Sequence, residues 1–230
     1  MKSFMILVAL LISMPAFAQN QDNSYGGGSR LPPKRAQIVQ SGESSARLVL
    51  FNFAQCIYAR KSSGVERLMQ LPIDTPEYEA LYKVLFDGVG DSCIEGDGSL
   101  KFTDGLLRGA LFEAAYIKKF GSKRFNDLTL EQTASTGVTY SQPMSPVAQT
   151  QALLQSFARC VVLLDTPSVR SLILASPGGS RENILTSALA PKLGQCLITG
   201  QKVEFSKPSL RGILAEALYR MTDTKASLAK

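Results

Sequence analysis

The sequence contains no histidine and no tryptophan. Without histidine there is no imidazole base, no imidazole metal ligand, and no Ser-His or Cys-His pair. A zinc centre would have to be built from cysteines and carboxylates alone. The cysteines stand at positions 56, 93, 160 and 196, with no Cys-x-x-Cys and no two of them two to four residues apart. That spacing lacks the thiol-redox motif and the paired ligands of a structural zinc site. No metal or other cofactor is expected. Runs of like charge are also missing. The formal net charge is +6, but the charges are scattered singly, with no stripe of arginines and aromatics, so nucleic acid is not an expected partner. Gly26-Gly27-Gly28 precedes no strand–helix pattern and is not a phosphate loop. Glu95-Gly96-Asp97-Gly98 lacks the spacing and closing glutamate of a calcium loop and reads as a turn. The S-x-x-K pattern of a Ser-Lys hydrolase occurs at Ser227–Lys230, in a tail with no pocket around it.

What is present begins with an export signal. Lys2 precedes an apolar run, Phe4–Met14, which Pro15 breaks. Ala16 and Ala18 are the small residues of a cleavage site, so residues 1–18 read as a signal peptide cut after Ala18. The run is too short to cross a bilayer as a helix. The expected location is the periplasm or the exterior. Residues 19–40 are polar, Gly-rich and Pro-rich, and read as a disordered tail.

The remainder is written twice. LRGALFEAAY at Leu107–Tyr116 recurs as LRGILAEALY at Leu210–Tyr219. Upstream, Val49, Leu50, Phe53, Ala54, Cys56 and Ile57 match Leu153, Leu154, Phe157, Ala158, Cys160 and Val161 at an offset of 104. Phe102 matches Phe205 and Thr103 matches Ser206, at an offset of 103. The chain therefore divides into a helical repeat at 41–120, a Thr- and Ser-rich linker at 121–146, a second repeat at 147–222, and a fraying tail at 223–230. The expected fold is mainly α, with two similar disulfide-stapled units of three or four helices each. A very short extended segment, Leu100–Phe102 in the first copy, precedes the last helix of each unit.

Apolar spacing and caps place the helices. The first runs from Ser44 or Ser45 and stops at Lys61–Gly64. Its run Leu48–Tyr58 is apolar on nearly all sides and predicts a central helix. Ser63 then opens a short helix to Leu71. Thr75-Pro76 starts the next helix, with Gly88 and Gly90 to cap its end. Thr103 caps the last, whose core face is Leu107, Ala110, Leu111, Ala114 and Ile117. In the second copy Thr166-Pro167 and Ser180 mark helix starts. If both copies fold alike, a bond inside one recurs inside the other, so the repeat selects Cys56–Cys93 and Cys160–Cys196 from the three connectivities possible. Each would close a loop worth about 4 kcal/mol on the chain-entropy argument.

On a helix, Gly109, Glu113 and Tyr116 share one stripe while Arg108 points to another side. The second copy places Arg211, Gly212, Glu216 and Tyr219 equivalently. The glycines would admit a close helix, and each arginine would pair with a carboxylate or a helix C-terminus. The competing expectation is a groove between the repeats, in which the arginines and glutamates bind a charged envelope ligand. Two glutamates as acid and base on a glycan would make a hydrolase. The two copies carry unlike charge: residues 41–120 hold nine Lys/Arg and eleven Asp/Glu, and residues 147–230 hold ten and five.

A signal peptide followed twice by F-A-x-C, Cys and L-R-G-x-L-x-E-A-x-Y resembles uncharacterised exported two-repeat proteins of Gram-negative bacteria. The resemblance covers Val49–Phe120 and Leu153–Met221, implies export, and carries no activity and no residue role. The expected function is accordingly that of a non-enzymatic exported protein for binding or envelope structure, its partner an anionic envelope component or another protein. The alternative is a carboxylate hydrolase acting on an envelope polymer.

Overall fold

The computed structural model describes residues 42–86, 90–94, 100–123, 128, 144–197 and 203–228. Among these the secondary structure is helical, without strands. In chain order the helices are α1 (Glu43–Gln70), α2 (Pro76–Phe86), α3 (Gly90–Cys93), α4 (Asp104–Phe120), α5 (Pro146–Leu164), α6 (Thr166–Leu174), α7 (Ser180–Gln195) and α8 (Lys207–Leu228). The expected signal peptide and tail, most of the linker, Gly88 and the Glu95–Gly98 turn lie outside the described residues.

Side-chain caps set most of the helix starts. Thr75 Oγ1 accepts from Tyr78 N at 3.3 Å, and Thr103 Oγ1 from Leu106 N at 3.4 Å. Ser145 Oγ accepts from Ala148 N at 3.1 Å, and Ser206 Oγ from Ser209 N at 3.3 Å. Each satisfies a backbone N–H that the first helical turn leaves without an internal partner. The cap of α6 is Asp165, which accepts from Ser168 N at 3.1 Å, one residue ahead of the expected Thr166. Before α7, Gly178 turns the chain at φ 76°. Glu182 reaches back to accept from Gly178 N at 2.8 Å, so Ser180 opens the helix without capping it.

The expected break at Lys61–Gly64 is present as a kink at Lys61, which is non-helical at φ −135°, ψ 42° and joins two helical segments within α1. Its aligned residue, Asp165, is the non-helical junction of α5 and α6 at φ −155°, ψ 66°. An aspartate can cap the next helix and so separates two; a lysine cannot, and the helix bends through. Lys61 Nζ instead donates to Leu85 O at the end of α2, at 3.0 Å. Gly90 opens the one-turn α3 rather than capping α2. Leu100–Phe102 is non-helical, and the ring of Phe102 lies tilted 5.8 Å from that of Phe53, where Phe205 stacks 5.1 Å from Phe157. Finally, α8 continues helically through residues 223–228, where a frayed tail was expected.

The centre of the core is also different from the expected one. Leu48 and Val49 on α1 are 41% exposed. In α8 every residue from Leu214 to Thr222 is buried, and so is every residue from Leu107 to Tyr116 in α4. It packs between α1 and α8, and α8 packs in turn on α5 and α6. A helix buried on all sides must hide its polar residues too, which is why the repeated motif contains charged pairs. The disulfides join Cys56 to Cys93 and Cys160 to Cys196, each across a Cα–Cα distance of 5.7 Å. Two such bonds are consistent with an oxidising environment. Among the described residues one helix, α5, is long and apolar enough by composition to cross a membrane. It buries Phe157, Ala158, Val161 and Val162 inside the fold.

Candidate functional site

The two copies of the motif cross each other. A Cβ placed on Gly109 would lie 2.5 Å from Gly212 Cα, and one on Gly212 would lie 3.0 Å from Gly109 Cα. Backbone meets backbone at this point, and a larger residue on either helix would drive the pair apart.

Around that crossing the charged residues pair reciprocally. Arg108 forks onto Glu216, with Nε at 3.3 Å from Oε2 and Nη2 at 3.1 Å from Oε1. Arg211 forks onto Glu113, with Nε at 2.9 Å from Oε2 and Nη2 at 2.5 Å from Oε1. Each arginine also holds the end of a helix. Arg108 donates to Met69 O at 2.8 Å and Leu71 O at 3.0 Å. Arg211 donates to Ile173 O at 3.0 Å and Ala175 O at 2.6 Å. All four charged side chains are buried. Each guanidinium therefore binds a carboxylate of the other copy and the last carbonyls of a helix of its own.

Outside this shared core the two pairs differ. Glu216 also accepts from Arg220 Nε at 3.0 Å and from Gln155 Nε2 at 3.2 Å. Burial works to raise its pKa, yet Arg108 and Arg220 together hold the carboxyl below its ordinary range. Glu113 depends on Arg211, and Arg211 also serves Glu182 through Nη1 at 3.3 Å. Burial here outweighs the single divided guanidinium and pushes the Glu113 carboxyl above its ordinary range. Glu182 takes its second cation from Arg47 of α1.

The tyrosines diverge similarly. Tyr219 Oη accepts from Lys119 Nζ at 2.9 Å, and Lys119 also pairs with Glu66 at 3.2 Å. The Tyr116 hydroxyl instead sits beside the side chains of Arg170 and Thr222. Burial pushes both tyrosine pKa values up. The structure thus gathers Arg108, Glu113, Tyr116, Arg211, Glu216 and Tyr219 along one helix crossing. It satisfies the arginines and glutamates from within the chain.

Two clefts flank the crossing, one beside each ion pair. The cleft beside Arg211–Glu113 has a volume of ≈ 40 Å³ and is lined by Arg47, Leu50, Phe51 and Pro177 among others. The cleft beside Arg108–Glu216 has a volume of ≈ 170 Å³ and lies between α2, α4, α5 and α8. Its walls include Ile73, Val147, Leu154 and Ile213, with Asp104, Gln151 and Gln155 as polar groups. In the aligned copies Gln151 takes the place of Arg47, Leu154 that of Leu50 and Gln155 that of Phe51. The long residues fill one cleft and the shorter ones leave the other open. The sequence reading passed over Arg47, Gln151, Glu182, Asp104 and Arg220. The signal for the first two was a charge present in one copy and absent from the other. No known protein family, curated protein or solved structure is found to match the chain.

Proposed function

We propose that the chain is an exported, non-enzymatic binding protein, built from two copies of one helical unit, that takes its ligand in the open cleft between α2, α4, α5 and α8. The observation that carries this reading is the contrast between the two sides of the helix crossing. Both arginine–glutamate pairs are occupied by one another, so the repeated motif locks the copies together. Only one of the two flanking clefts is closed by the chain's own side chains. The open one has the usual make-up of a small-molecule site, with mostly apolar walls and a few convergent polar groups.

Export follows from residues 1–18 read as a signal peptide, from the resemblance to exported two-repeat proteins, and from the agreement of two disulfides with an oxidising compartment. The hydrolase reading has less support. Glu113 and Glu216 are each gripped by an arginine fork, and a general acid or base must be free to exchange its proton with a substrate. An anionic envelope component would find repulsive carboxylates in the cleft. It would have to bind the basic exterior of residues 147–230.

The cleft reading is tested by methyl NMR of the mature oxidised protein against a library of small fragments. Shifts confined to Val147, Leu154, Ile73 and Ile213 support it. Fragments that bind only elsewhere, or none at millimolar concentration, overturn it. Export is tested separately. Mature protein recovered outside the cytoplasm should begin at Gln19, and an uncleaved cytoplasmic chain with four free thiols would overturn that part.

A further inference from the structure

We propose that the open cleft takes a small uncharged molecule, an aromatic or branched apolar body that carries one hydroxyl or amide group to pair with Gln151. The proposal rests on the cleft being the binding site and adds the chemistry of its ligand.

The two clefts differ in charge as well as in size. In the closed cleft Arg47 pairs with Glu182, and Glu182 also takes Nη1 of Arg211 at 3.3 Å. The aligned residues of the open half, at the same offset of 104, are Gln151 and Tyr78. Tyr78 lies in the field of Arg108, as Glu182 lies beside Arg211, so the positions correspond in space as well as in sequence. Burial pushes the Tyr78 hydroxyl up, which keeps it protonated and neutral. Uncharged groups therefore stand where the closed half has both members of an ion pair.

The charges that remain around the open cleft are answered by the chain or by water. Arg108 forks onto Glu216. Asp104 is buried and has its partner within the chain. Asp74 and Glu79 are exposed, and Asp74 accepts from Ser145 Oγ. Charges held in water are hydrated and screened by salt. An ionic head brought inside would lose its own hydration and meet no counter-charge to spare, and burying an unpaired charge is strongly unfavourable.

The polar group left over in the lining is the amide of Gln151. Its Oε1 is shut away from water and accepts no hydrogen bond among the described residues, which is costly. Thr150 and Gln155 beside it already donate, to Pro146 O and to Glu216. The terminal torsion of a glutamine is broad, so the amide can turn its oxygen toward a ligand. A hydroxyl or amide both donates and accepts, and so matches it. The apolar walls, Ile73, Val147, Leu154 and Ile213, take the body of the molecule. A dry protein cavity of about 150 Å³ holds a benzene ring, and this cleft is ≈ 170 Å³.

The experiment titrates the mature oxidised protein with benzyl alcohol, toluene, benzylammonium and benzoate, followed by calorimetry and methyl NMR at low and high sodium chloride. Benzyl alcohol is expected to bind about tenfold or more tightly than either ion, with an affinity that salt does not weaken. Gln151→Met keeps the length of the side chain and removes the amide. It should lower the affinity for benzyl alcohol by about twofold to tenfold, the range of one net hydrogen bond, and leave toluene unchanged. Leu154→Trp, which fills the cleft, should abolish binding of all probes; should that variant fail to fold, Val147→Trp serves as the plug. Either ion binding as tightly as benzyl alcohol overturns the uncharged ligand and leaves the cleft as a binding site. Equal losses of toluene and benzyl alcohol in Gln151→Met overturn the pairing with Gln151. Binding that survives the plug, or absence of binding by every probe, overturns the cleft reading as well.

Discussion

Arg108 and Arg211 occupy equivalent places in sequence, yet their removal should cost unequal amounts. Arg211→Met strips Glu113 of the fork that holds both its oxygens. It also frees the carbonyls of Ile173 and Ala175. Glu182 keeps Arg47 and the Gly178 amide. Breaking a buried pair from one side costs about 3–5 kcal/mol, because a charge is left without compensation. Arg108→Met leaves Glu216 with Arg220 and Gln155, and Met69 O still accepts from Arg220 Nη2 at 2.6 Å. What is lost is one of two arginines and the partner of Leu71 O, for about 2 kcal/mol. For a chain of this size the melting temperature falls by about 2–4 °C per kcal/mol. Arg211→Met should thus lower it by about 6–20 °C and Arg108→Met by about 4–8 °C. Urea unfolding at neutral pH, followed by circular dichroism under oxidising conditions, measures both. The double variant Arg211→Met with Glu113→Leu replaces the pair by apolar groups and should recover a large part of the loss, since the two residues act as a unit. Equal losses for the two arginines, or strict additivity in the double variant, would show that the asymmetry of the two networks carries no energy.

Three further outcomes are expected. Gly109→Ala should destabilise by about 1–3 kcal/mol through overpacking against Gly212, whereas Gly105→Ala, with nothing within 4 Å of the new Cβ, should stabilise slightly; a neutral Gly109→Ala in thermal melts would count against the close crossing. The pH dependence should tilt in opposite directions at the two glutamates. A folded-state pKa raised above the unfolded 4.5 makes Glu113 contribute stability below pH 4.5 that is lost as pH rises through its folded value. A lowered one makes Glu216 contribute stability above pH 4.5 that is lost as pH falls through its folded value. Melting curves of Glu113→Gln and Glu216→Gln against wild type between acid and neutral pH should therefore diverge, and parallel curves would contradict the assignment. Replacing both cysteines of either disulfide by serine should cost about 4 kcal/mol, equally for the two because the loops span 37 and 36 residues; a loss confined to one bond would show that the other spans a segment already ordered in the unfolded chain.

Helix type and most helix starts were legible because they depend on local chemistry. Thr75, Thr103 and Ser206 each sit beside the turn they cap. The disulfide pairing was legible for another reason, namely that a repeated sequence repeats its contacts. The kink at Lys61 was half legible. Its position could be read from Ser62-Ser63-Gly64, but whether the chain separates there depends on whether the residue can cap, and Lys61 and Asp165 differ in that. The central role of α4 was not legible from periodicity. Its stripe of Leu107, Leu111 and Ala114 looks amphipathic because Arg108 and Glu113 interrupt it, and only the partner helix reveals that those charges are neutralised inside. The unequal clefts were invisible for a related reason: matching residues were sought between the copies, and the clefts are made by the residues that do not match.

That last point bears on where function should be sought in a chain of this kind. On the proposed duplication, a position kept alike in both copies must satisfy the packing of both, and Arg108, Gly109 and Glu113 with their counterparts do so at the helix crossing. A ligand site beside a symmetric lock would by default be present twice. Here the larger cleft is present once, because Arg47 and Phe51 fill one side while Gln151 and Gln155 do not fill the other. Closing the open cleft would take only the substitutions that already close its twin. Its openness is thus not forced by the fold. Loss of a plug alone would leave a void that weakens the core, since unfilled volume costs stability.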